Sequence, residues 1–229
     1  IKKLEQLPLK LGMMNPINFL MYCTGEKVNL TQIEGQFPQV PYPKREHREK
    51  FVEDWFQVPD DKFKQYFIDW ELRGENSFPH YPTAQMTSEI VDWMERMHYI
   101  DDALGICAGL SSFHLKPPYH IHNFPKIISA GVGLEMDEEK LTKTTNRTRT
   151  LVRAINIRRG LRRKDEKPPD DHWKRRFPEL EENLLDTYYE FKGWNKEGIP
   201  TKESLQDLSL DYVYKDLVQR GILTDSEDG

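Results

Sequence analysis

One segment constrains this chain more than any other. Between Asp137 and Gly160, acids crowd one end, arginines crowd the other, and a glycine closes the run. Asp137, Glu138 and Glu139 favour the positive end of a helix dipole, and Arg158 and Arg159 favour the negative end. Gly160 suits the left-handed position just past a helix C-terminus. The spacing predicts a helix over 137–159 with Leu141, Leu151, Val152 and Ile155 on its buried face. The same grammar recurs downstream. Pro178 and Gly193 bracket a helix ending at Lys192. Thr201 and Asp211 cap two short helices, the second stopping at Gly221.

Upstream, Ile90, Trp93, Met94 and Met97 form an apolar stripe over 87–97, with Ser88 as its N-cap. Helices are predicted over 45–56 and over 60–73, where Phe63, Phe67 and Trp70 recur at helical spacing and read as core. Residues 127–134 read as a short buried helix or a loop. No alternating strand pattern occurs. The expected fold is mainly α: an irregular helical region over 1–84, set on the substrate side, and a helical C-terminal domain over 85–229.

Composition excludes several classes. With 37% hydrophobic and 11% aromatic residues, the chain can build a core despite 31% charged residues, so general disorder is not expected. The net charge of -5 is unevenly spread. Residues 147–176 hold 12 Lys and Arg against 4 Asp and Glu, and residues 179–229 hold 5 against 13. Such a pair of blocks implies helices that neutralise one another; a phosphate-bearing partner is the sharper alternative. Trp173 is the one aromatic residue in the basic block, which argues against a nucleic-acid groove. Two cysteines, Cys23 and Cys107, make no disulfide framework. The least charged stretch, 103–113, falls far short of the ~20 residues that span a bilayer. A cytoplasmic location is expected. The chain opens at Ile1 without an initiator methionine, as expected of a piece of a longer product.

Cys107 is the residue with the most chemistry to offer. It reads either as a small core residue or as a thiolate ligand. Asp101 and Asp102 stand just before its apolar run, where acids are costly unless hydrogen-bonded. Gly105 lets a ligand approach the backbone. A single thiolate cannot hold a four-iron cluster, so three further ligands must lie outside this chain. Cys23 reads as buried and inert. Among the histidines, His80, His120 and His122 read as hydrogen-bonded loop residues, while His98 and His114 flank the cysteine segment and are the candidates for lining a cavity.

The run Asp102-x-x-Gly105-Ile106-Cys107 resembles the D-x-x-G-L-C motif of aldehyde:ferredoxin oxidoreductases, with Ile106 in place of leucine. Arg153-x-x-Asn156-x-Arg158-x-Gly160-x-x-Arg163-Lys164-Asp165 is similar to that family's arginine-rich helix end. Leu185, Tyr188, Tyr189, Gly193 and Trp194, followed by Gly198-Ile199-Pro200-Thr201, resemble its C-terminal stretch. The resemblance spans 89–223. It implies a tungsten (or molybdenum) bis-pterin and a [4Fe-4S] cluster. Cys107 would ligate iron and carry electrons between pterin and cluster, Asp102 would accept hydrogen bonds from pterin N–H groups, and Gly105 and Ile106 would make backbone contacts. The family's N-terminal β domain and its C-x-x-C-x-x-x-C motif are absent here, so the remainder of the same polypeptide is an implied partner.

Two activities within the family compete. The favoured one reduces the ring of an aromatic acyl-coenzyme A, benzoyl-coenzyme A, to a cyclic dienoyl-coenzyme A with electrons from an iron–sulfur subunit. The other oxidises aldehydes to acids with ferredoxin as acceptor. Arg162, outside the quoted pattern, is assigned to the coenzyme phosphates. An oligomer is expected. The reading from another class is a helical interaction module without cofactor, its Cys107 in the core.

Overall fold

The computed structural model describes residues 16–26, 47, 50, 83–106, 124–167 and 178–224. Among the described residues the α-helices are, in order, α1 (Pro16–Thr24), α2 (Ala84–Leu104), α3 (Phe124–Val132), α4 (Glu138–Arg158), α5 (Pro178–Phe191), α6 (Lys202–Asp207) and α7 (Asp211–Gln219). A 3-10 turn, Arg163–Asp165, lies between α4 and α5. Among the described residues the extended pairing is a single bridge between Trp194 and Pro200, so the chain is mainly α. The helix expected over 60–73 lies outside the described residues, as does that over 45–56 apart from residues 47 and 50.

Several helices stop by one device. A residue with positive φ follows the helix, and its successor's N–H reaches back to a carbonyl five residues earlier. Ile106 donates to Asp101 O at 2.8 Å, Leu161 to Asn156 O at 3.0 Å, and Trp194 to Tyr189 O at 2.8 Å. Leu210 and Ile222 repeat it on Leu205 and Leu217. In each case a large apolar residue follows the turn, which seals the end against the helix it leaves. Ser209, at φ 55, holds the left-handed position after α6 where the other ends use glycine.

Helices α1, α2 and α5 share the main core, built on Phe19, Leu20, Ile90, Trp93, Met94, Leu185 and Tyr188. A second cluster joins Ala154 and Ile157 of α4 to Leu205, Leu210, Val213 and Leu217. A third, small one ties Ile100 at the end of α2 to Phe124 of α3 and Leu141 of α4, with Ile106, Ile128 and Met136 against it.

The structure corrects several sequence expectations. Helix α2 begins after Thr83, whose side chain accepts from Met86 N, and runs on to Leu104. Ser88 is inside it, bonded back to Ala84 O at 2.9 Å. Residues 124–132 are helical but not buried beyond Phe124 and Pro125: Ile127 and Val132 are exposed. The buried face of α4 is turned away from Ile155, which is exposed, and runs through Leu141, Thr145, Arg149, Arg153 and Ile157. Thr201 caps α6 as expected, and Asp137, expected in the first turn of α4, is its N-cap. Asp211 opens the first turn of α7, behind an N-cap at Leu210.

Candidate cofactor site

The cysteine fingerprint begins on the last turn of α2. Asp101 is buried and Asp102 is exposed. No base stands in that turn to complement the helix carbonyls, so two carboxylates sit at the end where the dipole disfavours them. Gly105 follows at φ 67, and a Cβ built on it would meet no atom of the described residues within 4 Å. Ile106 turns inward against Ile100 and α3. One turn before the acids, His98 is buried on α2. Cys107, His114, His120, His122 and His80 lie outside the described residues. Among the described residues no group of three or more His, Cys, Asp or Glu could hold a metal ion, and none of the helices is long and apolar enough to cross a membrane. Cys23 is buried in the main core.

What fixes α2 is a buried charge network that sequence reasoning missed. Arg149 of α4, 2% exposed, donates to Glu95 at 3.1 Å, to Glu26 at 2.8 Å and to Thr24 O at 2.9 Å. The Tyr188 hydroxyl donates to the same Glu95 carboxylate at 2.7 Å. Lys192 pairs with Asp92, one turn earlier on α2, at 2.6 Å. Burial pushes the Asp92 carboxyl up, but Lys192, then Arg96 and Arg149, outweigh it and hold it below the ordinary carboxylate range. Arg153, one turn on from Arg149, grips Glu166 with two nitrogens at 2.5 and 2.9 Å and Gly198 O at 2.8 Å. Tyr189 also donates to Glu166. Trp194 lies under both guanidiniums, at 5.0 Å from Arg149 and 4.4 Å from Arg153.

A charge removed from water is tolerable only when paired and fully hydrogen-bonded, and these guanidiniums meet that condition from α1, α2, α5 and two loops at once. The one signal in the sequence was the four-residue ladder 141-145-149-153-157, in which two arginines stand among core positions. The arginine-rich helix end and the Tyr-Tyr and Gly-Ile-Pro-Thr stretches thus serve one structural purpose: Arg153, Tyr189 and Gly198 meet around Glu166.

Three further bases of the block pair with the acidic C-terminal part. Arg158 pairs with Asp216 at 3.2 Å, Arg163 with Glu182 at 2.7 Å and Asp186 at 2.6 Å, and Lys167 with Glu182 at 2.6 Å. Arg162, half-buried, caps α4 through Nη1 on Ile157 O at 2.9 Å and Leu161 O at 2.6 Å. A guanidinium has five N–H donors, so this role leaves it capacity for an anion.

The family model "Aldehyde ferredoxin oxidoreductase, domains 2 & 3" matches residues 57–210, which contain the α2 end, the arginine pair and the Gly198 loop. No curated protein matches. Among solved structures, the active site complex BamBC of benzoyl-coenzyme A reductase in complex with 1,5-dienoyl-coenzyme A contains a chain 69% identical, with a TM-score of 0.87. The match covers 97% of this chain and 34% of that one, so the present chain spans about a third of its relative. It belongs to the aldehyde ferredoxin oxidoreductase family.

Proposed function

We propose that this chain forms the helical part of a tungsten- (or molybdenum-) bis-pterin, iron–sulfur oxidoreductase that reduces benzoyl-coenzyme A to a cyclic dienoyl-coenzyme A. The observation that carries this is the 69% identity over 97% of the chain to a protein solved with a dienoyl-coenzyme A bound. The reaction adds two electrons and two protons to the ring, and the metal–pterin group, when bound, supplies the low-potential electrons.

This chain's residues take defined parts. Cys107 supplies one thiolate to the [4Fe-4S] cluster. Asp102, exposed at the negative end of α2, accepts N–H groups of the pterin, which offsets its placement against the helix dipole. Gly105, whose missing Cβ would meet none of the described residues, and Ile106 let the group approach the backbone. His98 and His114 are the candidates for lining the substrate cavity. The N-terminal region, 1–84, takes the substrate side, and 85–229 carries the cofactor motif. Electrons arrive from an iron–sulfur subunit, and the remainder of the polypeptide supplies the other cluster ligands. The assembly is cytoplasmic and oligomeric.

Arg162 binds a coenzyme phosphate with the donors its capping role leaves over. The test uses the complete enzyme with benzoyl-coenzyme A and with a small aldehyde. Thioester turnover is expected, and Arg162→Ala should raise its KM several-fold, the ~1–2 kcal/mol of a charge-assisted contact, while cluster content stays unchanged. Brisk aldehyde oxidation with no thioester turnover would replace this reading with the aldehyde-oxidising one.

A further inference from the structure

Helix α2 is one uninterrupted rod. Its 21 residues contain neither glycine nor proline, the usual causes of a kink, so a movement at its middle is carried to its last turn. Ile90, Trp93, Met94 and Met97 pack it into the main core. Apolar contacts of this kind are non-directional: they hold a helix in place without fixing how far it slides along its axis. Charged hydrogen bonds are directional and do fix it. Glu95, 4% exposed, makes them to three places at once. Its carboxylate accepts from Arg149 of α4 at 3.1 Å, from the Tyr188 hydroxyl of α5 at 2.7 and 2.8 Å, and from Lys192, in the turn after α5, at 3.5 Å. Asp102 comes seven residues later, about 10 Å along the axis at 1.5 Å per residue, and the cofactor motif starts there. At that end the apolar support is the small third cluster, in which Ile100 meets Phe124 and Leu141.

We propose that Glu95 is a positioning residue for the cofactor motif: its bridge to Arg149 and Tyr188 sets the axial register of α2, and with it where Asp102 and Cys107 stand against the cofactors. This role rests on the cofactor reading above. Buried ion networks are seldom the most stabilising way to fill a core, and the best-attested use of a buried polar group is to fix register. The molecule holds its own comparison. Arg153 and Glu166 form an equally buried pair, at 2.5 and 2.9 Å, but neither residue lies on α2. The Arg153 guanidinium holds the Gly198 loop instead, at 2.8 Å.

Glu95→Gln and Glu166→Gln in the complete enzyme test the assignment, since each keeps the side-chain shape and removes one buried charge. Both should lower the unfolding temperature and keep iron and pterin content. Glu95→Gln alone should shift the paramagnetic resonance signal and midpoint potential of the cluster, and should lower kcat about tenfold or more at unchanged KM, as expected of misplaced reacting groups. Glu95→Asp keeps the charge and shortens its reach, so it should shift the signal too; it also serves if Glu95→Gln does not accumulate. A native signal and potential in the Glu95 variants would overturn the proposal, as would equal shifts in Glu166→Gln. Amide exchange gives a readout that needs no cofactor. The N–H groups of Gly105 and Ile106, bonded to Asp102 O and Asp101 O, should exchange faster in Glu95→Gln and not in Glu166→Gln. Exchange unchanged in both, or raised alike, would count against a register role. A complete protein that binds neither iron nor pterin, yet shows this exchange difference, would fail the cofactor reading and leave the register role of Glu95 standing.

Discussion

At the scale of single residues, Gly198 shows how closely the buried arginines are fitted. Its carbonyl accepts from Arg153, and a Cβ on it would lie 2.1 Å from Arg153 Nη2 and 3.0 Å from the Tyr189 ring, at φ +73. Gly198→Ala must therefore displace a buried charge from its partners, and denaturant unfolding should show a loss of about 2–4 kcal/mol. Gly221→Ala isolates the conformational part: φ is +65 with no atom within 4 Å, and about 1 kcal/mol is expected. Equal losses at the two sites would mean that the Arg153 contact carries no weight. The tyrosines give a pH test. Burial, reinforced by neighbouring carboxylates, raises the phenols of Tyr99, Tyr188 and Tyr189 above the ordinary 10.0. The folded protein thus favours their neutral form; that stability is complete below pH 10.0 and is lost as pH rises through the raised values. Tyrosinate absorbance from these three should appear together with alkaline unfolding. Their titration near pH 10 in the folded protein would contradict the burial argument.

Elements differed in how far the sequence disclosed them. Helix ends were legible wherever a cap or a following glycine had a local cause, as at Asp137, Thr201, Gly160 and Gly193. The start of α2 was not, because Ser88 satisfies its hydroxyl on Ala84 O inside the helix and leaves the capping to Thr83. The face of α4 was misread for a physical reason: Arg149 and Arg153 look like solvent-facing residues until the fold brings their acidic partners, Glu26, Glu95 and Glu166, onto them. Apolar periodicity cannot register a core position filled by a paired charge. The apolar run of α3, read as a short buried helix or a loop, is a helix whose Ile127 and Val132 are exposed. The end of α6 offers an improvement. Ser209 holds a left-handed φ of 55, and Arg147 donates to the carbonyls of Leu208 and Ser209 beside it. Ser209→Gly should stabilise the protein by up to about 1 kcal/mol. A decrease in the unfolding midpoint would mean that the serine side chain contributes more than its backbone strain costs.

For the whole molecule, the charge asymmetry resolved into mutual neutralisation: the basic block faces the acidic C-terminal part through Arg158, Arg163 and Lys167. Mainly helical architecture and family membership were both readable from spacing and from short motifs. The network that orients α2 was not, since it joins Glu95 to Arg149, 54 positions on, and Asp92 to Lys192, 100 positions on. The fingerprint at the end of α2 is the place where fold meets chemistry, and its thiolate is the central claim. Cys107→Ala in the complete enzyme, followed by iron analysis and low-temperature electron paramagnetic resonance, tests it most directly. The variant should lose the four-iron cluster or convert it to a form with fewer irons, and should lose electron transfer from its partner. Full iron content, an unaltered cluster signal and unchanged turnover would return Cys107 to the role of a core residue and contradict the account.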